Sequence, residues 1–286
     1  MSNESQEFVA ISDVHVHPRS LFAEGEGINN SRMQQTLSVL DDSLNYAYHN
    51  DAVWLCAGDL FHTTGHARNT VLNAVYNALS RYEDLVDKYI IWGNHDSRGS
   101  GYAEVMADET ALSSLSTAID SLRLLNKDLV EIREGLTLYG AGAQANEKHL
   151  DYGPGGTIGM FHGIVDGTDT PSGHPLDGEI DPFDLVDKYS LSIVGDVHHP
   201  QSRYMTTHEG DQERTILVPG APEHHNFGDK GDRGWWTFDV EKRDDEWIRV
   251  GLEMHERDRP RFITGDSQEE VEDDGNFFRV MGGVDQ

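Results

Sequence analysis

Short apolar runs alternate with longer helical patterns along the first half of the chain. Met33, Leu37, Leu40 and Leu44 recur every three or four residues, which predicts a helix over residues 31–49. The same pattern predicts, in order, strand 8–11, helix 31–49, strand 52–56, helix 69–82, strand 89–92 and helix 109–125. An alternation of strands and helices is typical of an α/β protein with a mostly parallel sheet covered by helices.

The second half of the chain is richer in apolar runs of strand length. These runs predict strands over residues 136–139, 156–161, 191–194, 215–218, 235–240 and 247–252. Residues 166–182 are rich in Gly, Pro and Asp and are predicted to form a loop. After residue 253 the sequence becomes irregular and acidic, with one further apolar run at 277–280. We therefore predict one domain over residues 1–256 and an acidic C-terminal appendage over residues 257–286.

The charge of the chain is strongly negative. There are 51 acidic residues against 22 basic ones, a net charge of -29, and six of the basic residues are lysines. Such a composition is typical of halophilic proteins, because in molar salt the screening length falls to about 3 Å and self-repulsion weakens. An ordinary acidic protein is the alternative. The sequence has no basic stripe of the kind that many nucleic-acid-binding proteins carry.

The sequence predicts a cytoplasmic protein, in the host cytoplasm if its origin is viral. No apolar run approaches the roughly 18 residues of a membrane span. The first ten residues are polar and acidic, so we expect no signal peptide. The single cysteine, Cys56, excludes a disulfide framework.

Polar clusters follow five of the predicted strands. They are Asp13-Val14-His15, Gly58-Asp59-Leu60-Phe61-His62, Gly93-Asn94-His95-Asp96, Phe161-His162-Gly163 and Gly195-Asp196-Val197-His198. Ligands of open α/β sheets bind at the carboxyl ends of the strands, so the clusters are expected to converge. Their carboxylates, imidazoles and amide are ligands for divalent metals, and Asp59 could bridge two ions. Taken singly, an Asp-x-His pair can arise by chance, and a histidine at a strand end is more often structural. The occurrence of all five clusters in this order favours a metal site.

These motifs, in this order, resemble those of the calcineurin-like metallophosphoesterases. Within that family the chain looks most like the nuclease subunit of the DNA double-strand-break repair complex, of the SbcD type. His62 follows Asp59 by three residues as in those nucleases, and segments 218–223, 227–229 and 233–240 resemble their later loop and strand. The resemblance covers residues 8–252. It implies two packed mixed β-sheets flanked by helices, in α-β-β-α layers.

The resemblance also implies two metal sites that share one carboxylate. Metal one would be bound by Asp13, His15, Asp59 and His198. Metal two would be bound by Asp59, Asn94, His162 and Asp196. The ions would be divalent, with Mn²⁺ first and Fe, Zn or Ni as alternatives.

Three further residues receive roles from the same resemblance. His95 would face the scissile phosphate, as a stabiliser of the transition state or as a proton donor to the leaving oxygen. His62 would position the phosphate or the nucleotide. Asp96 would orient the groups that act directly.

The chain departs from the family pattern at several residues. Asp196 stands where the family usually has His, which favours harder ions such as Mn²⁺. His17 is additional, and Asp13-Val14-His15-Val16-His17 also matches the opening of amidohydrolase-type and polymerase-histidinol-phosphatase-type barrels, which do not predict the later motifs. His17, His199 and His224 are candidates for contact with substrate. Residues 257–286 are too short for the family's DNA-capping domain and ATPase-docking helices together.

Three functions compete at this level. The first is a Mn-dependent DNA exo- or endonuclease in repair, recombination or viral genome processing. The second is a phosphatase or phosphodiesterase that acts on small molecules or protein, which the acidic charge favours. The third is a non-catalytic interaction module, which would not require the complete set of ligands. Candidate partners are DNA, an SMC-like ABC ATPase and a second copy of the chain, with no membrane.

The charge generates a prediction about stability. Folding and activity should require high salt, because the repulsion at -29 is unscreened in dilute buffer. The measurement is the melting temperature between low and molar salt. A melting temperature that stays constant across this range would contradict the halophilic interpretation.

Overall fold

A computed structural model gives the conformation of most of the chain. It describes residues 4–64, 66–97, 110–142, 157–210, 212–243, 246–257, 262–265 and 276–280, without the side chains of 262–265 and 278–280. Most of the predicted appendage therefore lies outside the described residues, and its separation from the domain stays a prediction. None of the helices in these ranges combines the length and apolar character needed to cross a membrane.

Helices and strands alternate first, and strands then predominate. The helices are α1 (Ser31–His49), α2 (Asn69–Ser80), α3 (Ala111–Ala118) and α4 (Pro182–Val186). The strands of the first half are β1 (Ser5–Ile11), β2 (Val53–Cys56), β3 (Lys88–Ile90), β4 (Leu122–Leu124), β5 (Asp128–Arg133) and β6 (Leu136–Ala141). Those of the second half are β7 (Thr157–His162), β8 (Leu191–Gly195), β9 (Gln201–Thr206), β10 (Glu213–Val218), β11 (Gly234–Arg243), β12 (Glu246–Arg249), β13 (Glu253–Glu256), β14 (Phe262–Gly265) and β15 (Phe277–Val280).

The strands form two mixed sheets and one small pair. The first sheet has the order β12-β11-β1-β2-β3-β4, with β13 also paired to β11. Its strands β1 to β4 are parallel, and β11 joins β1 in the antiparallel sense. The second sheet has the order β5-β6-β7-β8-β10-β9, in which β6, β7, β8 and β10 are parallel. Strands β14 and β15 pair with each other.

The two sheets pack face to face between helices. Alternate residues of each strand face opposite sides, so Phe8 and Ala10 lie in the core between the sheets while Val9 and Ile11 lie against α1, α2 and α3. On the outer face of the second sheet, α4 covers Phe161 and Val194. The predicted layers of helix, sheet, sheet and helix are thus confirmed.

The predicted helix over 109–125 is wrong in its second half. Its start at Glu109 lies outside the described residues, and α3 begins after a capping box formed by Thr110 and Ser113. The chain leaves the helix at Ala118, and β4 then pairs with β3. The leucines continue the helical spacing, but the open edge of β3 offers hydrogen bonds that outweigh local periodicity.

Other strand predictions needed smaller corrections. Strands β5 and β9 were not predicted, because neither segment is a continuous apolar run, although Leu129 and Tyr204 are exposed on them. The strand predicted over 247–252 ends at Arg249, and β13 follows after a break. The helix α4 begins at the end of the predicted loop 166–182, with Asp181 as its N-cap.

One buried lysine fixes the connection between α2 and the first sheet. The Nζ atom of Lys88 donates to the carbonyls of Tyr82 and Val86 at 2.8 and 2.7 Å and to the Ser121 hydroxyl at 2.7 Å. These bonds join the turn after α2 to the start of β4. Burial lowers the pKa of Lys88 to about 8, against the opposing effect of Asp87, Glu83 and Asp84.

This lysine generates a prediction about the pH dependence of stability. Between pH 8 and 10.5 the unfolded chain binds more protons at Lys88 than the folded chain, so its contribution to the free energy of unfolding rises with pH. The measurement is chemical unfolding of the wild type and Lys88→Met across this window. The wild type should gain stability relative to the variant as pH rises, and parallel curves would contradict the assignment.

Candidate metal centre

The site lies where the carboxyl ends of β1, β2, β3, β7 and β8 meet. The loops after β1 and β2 run side by side, because the amides of Asp13 and His15 donate to the carbonyls of Gly58 and Asp59 at 3.0 and 2.9 Å. The second sheet joins them through Asp196, whose amide donates to the Asp13 carboxylate at 3.2 Å. The structure therefore brings all five sequence clusters to one edge.

Four of the predicted ligands have left-handed backbone conformations. Asp13, His15, Asp59 and Asp196 have φ angles of 52°, 49°, 54° and 98°. This region is unfavourable for residues other than Gly, and such strain persists where the surrounding structure imposes it, often at functional sites. The turns aim these side chains into the space between the strand ends.

Gly93 permits the close approach of the loops after β2 and β3. A Cβ atom at this position would lie 1.9 Å from Oδ1 of Asp59 and 2.3 Å from its backbone nitrogen. A larger residue would displace the Asp59 carboxylate, so only Gly is compatible with this arrangement.

Asp96 binds both of these loops through their backbones. Its carboxylate accepts hydrogen bonds from the amides of Phe61 at 2.9 Å, Gly93 at 3.0 Å and Leu60 at 3.3 Å. Burial raises its pKa, and these amides oppose the shift. Asp96 is thus placed to hold the loops that carry Asp59 and His95 in position, and its contacts agree with an orienting role.

Asp59 lies at the middle of the cluster, with 2% of its side chain exposed. Its Oδ2 atom is 3.5 Å from Nε2 of His15, and its Oδ1 atom is 3.6 Å from Nε2 of His162. The amide of His95 donates to Oδ1 at 2.8 Å and fixes the carboxylate plane. The two oxygens therefore face two different imidazoles, as a bridging carboxylate would require.

On the His15 side, the donors expected for metal one lie together. Nε2 of His15 is 3.1 Å from Nε2 of His198, which is 4.0 Å from Oδ1 of Asp13. Asp13, His15 and His198 form a group whose ligand atoms all lie within 4.8 Å of one another. This spacing suits one cation.

On the His162 side, the donors expected for metal two also lie together. Nε2 of His162 is 3.8 Å from Oδ1 of Asp196, which accepts the amide of Asn94 at 3.0 Å. A second group within 4.8 Å consists of Asp59 and His162 with Asp13, which was predicted to bind metal one. In this arrangement the Asn94 oxygen is the atom left for coordination.

His162 provides the test of whether a cation fits. Its Nδ1 atom donates to the Ala57 carbonyl at 2.7 Å, so the neutral ring has its lone pair on Nε2. That atom is buried, has no hydrogen-bond partner among the described residues and faces the carboxylates of Asp59 and Asp196. A lone pair that faces two carboxylates requires a proton or a cation between them, and the deprotonated ring offers a donor that fits a metal ion.

The electrostatics of the metal-free cluster show the same requirement. Burial raises the pKa of Asp59 to about 8, with contributions from Asp96 and Asp13 against His162. Burial lowers the pKa of His162, but Asp59, Asp13 and Asp196 outweigh it and raise the value to about 9. Without metal, this cluster retains a proton near neutral pH. Metal binding should therefore release protons and weaken in acid.

His95 and His62 form a pair beside this cluster. Nδ1 of His95 lies 2.5 Å from the His62 carbonyl, and the two rings stack with centroids 5.4 Å apart. The ring of His15 stands nearly perpendicular to His95 at 4.8 Å. His15, His62 and His95 also form a third group that could hold a metal ion, which the sequence did not predict.

The three weaker candidates have different surroundings. The half-buried ring of His17 lies 4.9 Å from that of His62, at the edge of the site. His199 is half-buried, and burial and Arg233 lower its pKa. The buried ring of His224 binds the Gly231 carbonyl at 2.9 Å, and its own carbonyl accepts from Arg32. His224 therefore stabilises its own loop rather than the metal cluster.

His225 takes the place that sequence reasoning gave to His224. Its ring lies 5.5 Å from that of His15 and 5.2 Å from that of His198. Burial lowers its pKa far below the usual value. The side chains of the adjacent residues His224 and His225 point in different directions, and the sequence alone did not indicate which of them faces the site.

Comparisons with known proteins agree with this architecture. One solved structure is 11% identical, covers 88% of this chain and 99% of its own, and has a TM-score of 0.51, which shows the fold alone. TT1561 of Thermus thermophilus is 12% identical, with 87% and 99% covered and a TM-score of 0.47. A dimetal phosphatase from Danio rerio is 12% identical, with 86% and 97% covered and a TM-score of 0.49. No curated protein matches the chain significantly in sequence.

The sequence profile of the calcineurin-like phosphoesterases matches residues 7–213. The match spans β1 to the start of β10 and contains the five clusters at the edge of the sheets. The chain therefore belongs to the calcineurin-like phosphoesterase family.

Proposed function

We propose that the chain is a two-metal phosphodiesterase that acts on nucleic acid, with DNA as its principal substrate. The observation that carries the proposal is the His62–His95 pair, stacked beside a donor set centred on Asp59. Such a nuclease would serve repair, recombination or viral genome processing.

The donor set supports two divalent ions, with Mn²⁺ preferred. Metal one would be held by Asp13, His15, Asp59 and His198, and metal two by Asp59, Asn94, His162 and Asp196. Carboxylate and amide oxygens favour Mn²⁺ over softer ions, and the imidazoles tolerate Fe, Zn or Ni. When bound, the ions would polarise the phosphoryl group and lower the pKa of a water nucleophile.

His95 is suited to act at the leaving oxygen. The His62 carbonyl accepts a hydrogen bond from Nδ1 of His95, so Nε2 of His95 is the atom left to exchange a proton with substrate. The bond from its backbone amide to Asp59 fixes the distance between this ring and the bridging carboxylate. A protonated His95 could then donate from Nε2 to the oxygen that leaves phosphorus.

The His62 ring adds a surface for the substrate on the same side. Burial, and after it Arg19, lower its pKa to about 4, so the ring is neutral at pH 7. A neutral imidazole can donate one hydrogen bond to a phosphate oxygen. The alternative substrate is a small phosphoester, which the net charge of -29 favours.

Removal of the bridging carboxylate should empty both sites. We expect Asp59→Ala to lose both Mn²⁺ ions in metal analysis, because each ion would share this residue. Glu209→Ala is a matched control, since it removes an exposed acid in the turn between β9 and β10, at the opposite edge of the sheet. Two ions retained in Asp59→Ala would refute the assignment.

Removal of the His95 ring should separate metal binding from turnover. His95→Ala should retain its metals and lose about 10²–10³ in rate, as is typical when one group that stabilises transition-state charge is removed. The readouts are metal content and kcat on a phosphodiester, with His208→Ala as control. Activity within a few-fold of the wild type would show that His95 is structural.

The choice between nucleic acid and small esters depends on His62. The wild type is assayed with Mn²⁺ in high salt on linear and circular DNA and on bis-p-nitrophenyl phosphate. His62→Ala should lose at least about tenfold on DNA and much less on the small ester, because His62 is proposed to position the nucleotide. A wild type that hydrolyses the small ester and leaves every form of DNA intact would replace the nuclease proposal with the small-molecule one.

A further inference from the structure

A cavity of about 260 Å³ opens beside the His162 side of the metal centre. It is lined by Asn94, His162 and Asp196 of the centre together with Ile164, Asp177 and Glu179. The unpartnered Nε2 atom of His162, whose side chain is 1% exposed, belongs to its wall. The cavity is therefore continuous with the donors proposed for metal two.

Two exposed acidic residues stand on the outer wall of this cavity, on a segment whose backbone is held by hydrogen bonds. Residues 177–180 run beside the segment that follows His162, since the Ile180 amide donates to the Ile164 carbonyl at 3.2 Å and its carbonyl accepts from Asp166 at 2.9 Å. A Cβ atom on Gly178 would lie 2.4 Å from the Ile164 carbonyl, so glycine permits this contact. Asp177 and Glu179, two residues apart on this segment, both line the cavity.

The opposite side of Asp59 carries an arginine, Arg19, with the acids Glu223 and Asp229 close enough to act on its pKa. Arg19 lowers the pKa of His62 after the larger effect of burial, and it lowers that of His15 after burial and the neighbouring histidines. Its Nη2 atom has no hydrogen-bond partner among the described residues. Arg68 acts on His17 in the same way, after burial and Arg19. The two oxygens of Asp59 thus separate an arginine side from an acidic side.

We propose that Asp177 and Glu179 exclude a second phosphate from this cavity and so determine which end of the substrate it accepts. The inference rests on the proposed function and adds a substrate preference to it. A phosphate brought against these two exposed carboxylates meets an electrostatic cost, because like charges repel. An uncharged nucleoside meets no such cost.

The substrate would then lie across the centre with a defined polarity. The phosphate under attack would lie at the donor set centred on Asp59, and any flanking phosphate would lie on the Arg19 side. A cavity of about 260 Å³ has room for one unit of nucleoside size. Water adds to phosphorus and loses a proton, and the P–O bond to the unit in the cavity breaks. That unit leaves as an alcohol that takes up the proton of His95, whose amide binds the Asp59 oxygen facing His162.

Three thymidine dinucleotides test the proposal. They are TpT, its 5′-phosphorylated form and its 3′-phosphorylated form, assayed with Mn²⁺ at the lowest ionic strength at which the protein remains folded. TpT and one phosphorylated form should have values of kcat/KM within about threefold of each other. The other phosphorylated form should have a kcat/KM lower by at least about tenfold, which corresponds to about 1.4 kcal/mol.

The variant Asp177→Asn/Glu179→Gln should raise kcat/KM for the rejected form to within about threefold of TpT. Glu209→Gln/Glu246→Gln is the matched control, because it removes two exposed acids at the opposite edge of the sheets and should leave the discrimination intact. If the double variant fails to fold, the two single substitutions should each relax the discrimination in part.

Equal hydrolysis of both phosphorylated forms by the wild type would overturn the inference. Equal rejection of both phosphorylated dinucleotides would also overturn it, because it would indicate repulsion by the whole chain. A discrimination that survives in both single variants and in the double variant would overturn it as well. A wild type that hydrolyses neither TpT nor bis-p-nitrophenyl phosphate would instead overturn the proposed function, and the inference would fall with it.

Discussion

The buried carboxylate of Asp59 is the constraint on which the site depends. Its two oxygens face the imidazoles of His15 and His162. An unpaired charge in the interior is strongly unfavourable, so this group must be neutralised by a proton or a cation. Gly93 and Asp96 hold it in place, one by allowing close contact and the other by binding three backbone amides. Several residues of this cluster adopt unfavourable backbone conformations, and metal binding would stabilise the cluster that they form.

A strongly negative chain can bind the proposed phosphate substrate only if positive charge lies close to the site. A polyanion approaching a chain of net charge -29 is repelled at low salt, and Arg19 offers local compensation near the centre. Arg19 stands on the histidine side, while Asp177 and Glu179 stand on the other. In molar salt the long-range repulsion is screened, and the repulsion by the exposed carboxylates of Asp177 and Glu179 weakens with it. The discrimination between substrates is therefore expected to be largest at the lowest ionic strength at which the protein remains folded.

Local patterns determined much of the fold, and long-range contacts determined the rest. The helical spacing of Met33, Leu37, Leu40 and Leu44 predicted α1 with its observed bounds, because Asn30 caps it and one face is buried. The leucines at 112, 115 and 122 fit the helix predicted over 109–125, but Leu122 belongs to β4 and pairs with β3. In the site, the strand-end motifs predicted which side chains lie together. They could not separate His224 from His225, because the direction of each side chain depends on contacts of the loop with Arg32 and Gly231.

Anomalous X-ray diffraction from crystals grown with Mn²⁺ tests the central claim most directly. The account predicts two manganese peaks, one beside each oxygen of Asp59, with Asp13, His15 and His198 around the first and Asn94, His162 and Asp196 around the second. A single peak, or peaks located at His62 and His95 without contact to Asp59, would contradict it.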